Sequence, residues 1–107
     1  MGKILIVDDD RSLCHFLTKA LSQKGYQVIS CHSAGDALKA VSGRETDLIL
    51  LDNKLPDRNG IEILKEIKRE LPKVPIIIMT AFGTTETAIE AMRLGAFDYI
   101  LKPFELD

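Results

Sequence analysis

The chain has 107 residues, with 14 Lys and Arg against 16 Asp and Glu, so its formal charge is −2. This length suits a single domain spanning residues 1–107, and the charge balance argues against a nucleic-acid-binding module, which is usually basic. The longest apolar runs, Leu48 to Leu51 and Ile76 to Met79, fall far short of the roughly 20 residues a membrane span needs. Met1-Gly2-Lys3 opens no signal peptide, and Cys14 and Cys31 make no disulfide framework, so the expectation is a cytoplasmic globular domain.

Lys3 to Val7 reads as a buried strand stopping at Asp8. Leu13, Phe16, Leu17, Ala20 and Leu21 mark one face of a helix ending at Gly25. Tyr26 to Ser30 reads as a second strand. Ser33, with Asp36 three residues on, starts a helix whose apolar face is Ala37, Leu38 and Val41. Leu48 to Leu51 is a third strand, stopping at Asp52, and a loop with Pro56 and the turn pair Asn59-Gly60 follows it. Ile61, Leu64, Ile67 and Leu71 give the next helix, and Ile76 to Met79 a fourth strand ending at Thr80. Ala88, Ile89, Met92 and Leu94 suit a fourth helix closed by Gly95, and Asp98 to Leu101 forms a fifth strand before Lys102-Pro103-Phe104. Strict alternation of strand and helix, with strands apolar throughout, predicts an α/β fold in which a parallel sheet is covered by helices on both faces. A fifth helix is expected after the last strand and is missing or truncated.

Open parallel sheets bind ligands outside the carboxyl ends of their strands. Four of the five expected strands end there in chemistry: the first in Asp8 and Asp9, the third in Asp52, the fourth in Thr80 and the fifth in Lys102. Clustered carboxylates in a partly desolvated cleft repel one another and call for a cation. An all-oxygen set with room for water suits Mg²⁺. A carboxylate nucleophile, a divalent ion, a hydroxyl and an ammonium together fit phosphoryl transfer, with an aspartyl phosphate as product.

Ile4-Leu5-Ile6-Val7-Asp8-Asp9-Asp10, Leu50-Leu51-Asp52 with Pro56 and Gly60 downstream, Met79-Thr80-Ala81, and Lys102-Pro103-Phe104 together resemble the receiver domain of bacterial two-component response regulators. Residues 80–104 most resemble receivers of the nitrogen-regulation class of enhancer-binding transcriptional activators. The resemblance implies a doubly wound, flavodoxin-like sheet of order 2-1-3-4-5. It implies that Asp52 accepts a phosphoryl group from a sensor histidine kinase or phosphotransfer protein. Asp8, Asp9, Asp52 and the backbone carbonyl of Lys54 would hold Mg²⁺, and Thr80 and Lys102 would meet the phosphoryl oxygens. Tyr99 falls at the family's switch-aromatic position: Thr80 drawn toward the phosphoryl group vacates space for Tyr99, biasing a pre-existing equilibrium. DNA would be reached only through an output domain outside this chain, a second copy is a further candidate partner, and no membrane is implied. The chain would be a signalling phosphoacceptor that catalyses its own phosphorylation and dephosphorylation, not an enzyme in the usual sense. Lys54 and Phe82, two residues after Asp52 and Thr80, occupy positions that tune water access, and bulky Phe82 predicts slow self-dephosphorylation.

Each residue has a plainer reading when taken alone. Acidic residues at a helix start are ordinary caps, and Asp10 is read as one. Thr80 alone is a strand-end hydrogen bonder, Lys102 solvated surface and Tyr99 half-buried packing. Cys14-His15 and Cys31-His32 fit no usual zinc spacing, and Cys14 and Cys31 read as small core fillers. Two other functions compete. One is a haloacid-dehalogenase-like phosphohydrolase using Asp8 of Asp8-Asp9-Asp10 as nucleophile, which needs more chain than this. The other is an interaction domain that has lost phosphorylation, against which the intact residue set argues.

Overall fold

A computed structural model describes residues 2–42, 45–81 and 85–102. The elements alternate as β1 (Lys3–Val7), α1 (Arg11–Gln23), β2 (Gln27–Cys31), α2 (Ala34–Val41), β3 (Leu48–Asp52), α3 (Gly60–Glu70), β4 (Ile76–Thr80), α4 (Thr85–Arg93) and β5 (Asp98–Leu101). All neighbouring strands pair parallel, in the order β2-β1-β3-β4-β5. Each strand segment pairs only after its helix has crossed back over the sheet, as parallel pairing requires.

Successive strand residues point to opposite faces, so an apolar strand feeds two cores. Leu5, Val7, Ile49, Leu51, Ile76 and Ile78 enter the larger one, where α2, α3 and α4 contribute Ala34, Ala37, Val41, Ile63, Leu64, Ile67 and Ala91. Ile4, Ile6, Leu50 and Met79 enter the smaller one, against Cys14 and Leu17 of α1. The segment after Lys102, where the fifth helix is expected to be missing, lies outside the described residues, as do Pro103, Phe104 and Phe82.

Side-chain caps set the helix starts. Asp10 accepts from the Leu13 amide, Ser33 from Asp36 and Asn59 from Ile61; each relieves an amide that has no partner inside its helix. Asn59-Gly60 is therefore not a free turn pair but the cap and first residue of α3. Gly25 and Gly95, at φ 98° and 105°, take the left-handed conformation that closes α1 and α4. Tyr26 stays out of β2, because its amide bonds the Leu21 carbonyl (3.2 Å) as part of that closure.

Three expected core residues are exposed. Phe16 is 53% accessible because the buried stripe of α1 is centred on Leu17, flanked by Cys14 and Leu21, and Phe16 falls beyond its edge. Ile89 (52%) and Met92 (47%) lie on the outer side of α4, which turns Ala91 to the sheet. Small residues let that helix sit close to the strands, so size misled the reading of its faces.

Candidate functional site

The site grows from the strand register. Val7 pairs with Leu51, which brings Asp8 beside Asp52; Asp52 pairs with Met79, so Thr80 lies one residue further along the neighbouring strand. Thr80 pairs with Leu101, and the Lys102 amide donates to the Thr80 carbonyl at 2.7 Å. Four neighbouring strand ends thus meet at the carboxyl edge. They straddle β1 and β3, where the connections diverge to opposite sides and a crevice opens.

Asp8 is fully buried. One of its carboxylate oxygens accepts from the Asp10 amide at 2.9 Å and the other from the Lys102 ammonium at 2.5 Å. Its backbone is fixed as well: its amide donates to the Cys31 carbonyl (3.0 Å), and the buried Cys14 thiol donates to its carbonyl (3.3 Å). Lys102 also reaches Oδ1 of Asp52 at 3.5 Å, bridging the two acids. Asp52 is 5% exposed and accepts a hydrogen bond from the Lys54 backbone. Asp9 is exposed at the mouth, and one carboxylate oxygen from each of Asp8, Asp9 and Asp52 lies within 4.8 Å of the others.

Burial and the neighbouring charge of Asp8 push the Asp52 carboxyl up to about 6, and Lys102 and the Lys54 amide pull against that rise. Burial opposes the charged form of Lys102, yet its bond to Asp8 and the charge of Asp52 outweigh this and hold its ammonium above the usual lysine range. Burial and the nearby acids push the Cys14 thiol up to about 11, so it stays protonated.

With all groups ionised, three carboxylates against one ammonium leave two negative charges. Hard oxygens in that number, one of them open to solvent, fit a hydrated divalent cation. Burial first, and the charge of Asp8 second, raise Asp52, and a cation among these carboxylates would oppose that rise.

The structure brings Asp8, Asp9, Asp52 and Lys102 together and places buried Thr80 at the adjoining strand end. Lys54 is exposed, with its amide turned to Asp52. Tyr99 packs instead against the larger core, and its hydroxyl shares a 2.8 Å hydrogen bond with the Thr87 hydroxyl of α4. Asp8 as nucleophile is not favoured, since both its oxygens are engaged and none of it is exposed. Three supporting residues were missed. Thr87 and Asp57 carry no signal in their local sequence. Gly60 was read as a turn residue and as part of the motif after Asp52, but not for its close approach: a Cβ there would strike the Asp52 carbonyl oxygen.

Residues 4–107 match the family model described as the response regulator receiver domain. The chain is 47% identical over 104 residues to the transcriptional regulatory protein ZraR of Salmonella typhimurium, covering 97% of the chain and 24% of that protein. It is 40% identical over 106 residues to the DNA-binding transcriptional regulator NtrC of Proteus hauseri, covering 99% of the chain and 22% of that protein. The chain therefore spans about a quarter of the length of these relatives. Among solved structures, a Burkholderia pseudomallei response regulator with a phosphorylated aspartic acid, a calcium ion and citrate superposes with a TM-score of 0.94 at 26% identity. That match covers 98% of this chain and 62% of the other.

Proposed function

Because the chain belongs to the response regulator receiver family, we propose that it takes a phosphoryl group onto Asp52 from a phosphohistidine of a sensor kinase or phosphotransfer protein. The observation that carries this is Lys102, which lies between buried Asp8 and Asp52 with the Asp9 carboxylate at the mouth. At neutral pH an acid titrating near 6 is mostly ionised, so Asp52 offers a carboxylate oxygen as nucleophile. That oxygen bonds phosphorus in line as the phosphorus–nitrogen bond breaks; the imidazole leaves with the electron pair and gains a proton from solvent. Asp8 holds the Lys102 ammonium in place, and Lys102 neutralises a phosphoryl oxygen. Thr80 donates its hydroxyl to another. Mg²⁺, held by Asp8, Asp9, Asp52 and the Lys54 carbonyl, would neutralise the charge that gathers on the phosphoryl oxygens.

The added charge at Asp52 biases the packing of α4 and β5, with Thr80 and Tyr99 as the moving parts. The similarity to ZraR and NtrC supports a transcriptional output through a DNA-binding domain outside residues 1–107. No described helix is long and apolar enough to cross a membrane, and a cytoplasmic setting suits a kinase-fed domain. Self-catalysed loss of the phosphoryl group belongs to the same proposal.

The test incubates the chain with Mg²⁺ and phosphoramidate and follows intact mass. A base-labile gain of one phosphoryl group is expected, absent in Asp52→Asn. A gain that survives Asp52→Asn and vanishes in Asp8→Asn would transfer the role to Asp8.

A further inference from the structure

The loop that follows Asp52 is closed on itself at its base. The Gly60 amide donates to the Asn53 carbonyl at 2.7 Å, and Lys54 and Asn59 form an antiparallel bridge. Its tip carries Asp57, whose two carboxylate oxygens accept from the first two amides of α2, Ala34 at 2.8 Å and Gly35 at 2.9 Å. These amides have no partner within their helix, and they lie where a helix favours an anion. They hold the Asp57 carboxyl below the usual range. Arg58, beside it, pairs with Glu62 and Glu66, but both belong to α3, which the loop itself leads into. Those pairs stiffen the loop against its own helix. The two bonds of Asp57 instead tie it to α2, an element more than 20 positions earlier in the chain.

We infer that Asp57 is a positioning residue for the acceptor site: by fastening the 53–59 loop to the first turn of α2, it fixes Lys54, whose amide holds Asp52 and whose carbonyl would face the cation. This rests on the function proposed above. Lys54 stands two residues from the acceptor, so a loop free at its tip lets that backbone drift while the strand ends stay in place. Asp57 is exposed and touches none of the reacting groups, so it acts only through the loop.

The experiment compares wild type, Asp57→Ala, Asp57→Asn and Val41→Ala by Mg²⁺ titration calorimetry and by the rate of phosphorylation from phosphoramidate, all well below the melting temperature. Val41 is buried at the far end of α2 and serves as the control for lost stability alone. Asp57→Ala is expected to weaken Mg²⁺ binding and slow phosphorylation by about 3- to 10-fold, at or below the low end of what removing an outer support of a metal ligand costs. Asp57→Asn keeps an oxygen for one amide and should recover part of both. Val41→Ala should lower the melting temperature and change neither. The inference is overturned if Asp57→Ala matches Val41→Ala in affinity and rate while wild type is phosphorylated normally. If wild type itself neither binds Mg²⁺ nor gains a phosphoryl group, the proposed function falls, and this inference with it.

Discussion

Replacing Asp52 by its neutral isostere, asparagine, should stabilise the fold. Asp52 titrates at about 6 in the folded chain against an ordinary 3.8. The folded state therefore holds the Asp52 proton more tightly than the unfolded chain does. The stability this lends is fully present below about pH 4, is lost as pH rises through 6, and above that the ionised carboxylate burdens the fold. At about 1.4 kcal/mol per pH unit the difference comes to about 3 kcal/mol as an upper bound. The cleft opens to solvent beside exposed Asp9, and screening there reduces it to about 2 kcal/mol. Asp52→Asn is neutral at every pH and keeps an oxygen for the Lys54 amide, while Lys102 retains Asp8. Urea titrations of both proteins from pH 4 to 8 should show no difference at pH 4 and Asp52→Asn ahead by about 2 kcal/mol at pH 7. Mg²⁺ should close the gap from the wild-type side, since at ten times its dissociation constant a ligand of the native state adds about 1.4 kcal/mol. A difference that does not change with pH, or an Asn variant less stable at pH 7, would refute the view of the cleft as an unrelieved acidic cluster.

Other substitutions probe the supports. Lys102→Met leaves Asp8 and Asp52 without their shared cation, and should cost about 3 kcal/mol at pH 8, less at pH 5 where Asp52 is protonated, and less again with Mg²⁺; equal losses at both pH values in urea titrations would contradict this. Gly60→Ala forces a Cβ onto the Asp52 carbonyl oxygen and to 2.9 Å from Asn53 Cα. The clash is with backbone, so the expected loss of about 3 kcal/mol from overpacking outweighs a helix-propensity gain of less than about 1 at this first helical position, and an unchanged melting temperature would disprove the clash. Tyr99→Phe and Thr87→Val each delete one partner of the same hydrogen bond; each should cost about 1 kcal/mol and the double variant little more, whereas additive losses in the double-mutant cycle would show that the hydroxyls do not act together. Cys14, titrating near 11, should react with a disulfide reagent at pH 8 only as fast as the chain unfolds, and prompt labelling in native buffer would count against its burial.

The parts of the site legible in the sequence share a property: each stands at the end of a strand. An apolar run that stops at Asp8, Asp52, Thr80 or Lys102 fixes which edge of the sheet that residue occupies, and parallel pairing then brings those ends together whatever the loops do. Helix faces were less legible, because α4 carries alanines among larger apolar residues and the period alone does not say which stripe meets the sheet; Ala91 went in, Ile89 and Met92 out. Asp57, Thr87 and the close approach at Gly60 were not legible at all. Asp57 meets amides more than 20 positions away, Thr87 meets a phenol on another element, and Gly60 meets a backbone oxygen; none of these leaves a local pattern. Strand-end chemistry tolerates such blindness because the ladder hydrogen bonds place it to within a residue. The Lys54 amide that bonds Asp52 lies outside the sheet's ladders, on a loop held at its base by a single bridge to Asn59. The groups that line this cleft can therefore be read from where its strands stop, while the contacts of Asp57, Thr87 and Gly60 that brace their surroundings join positions that only the folded structure connects.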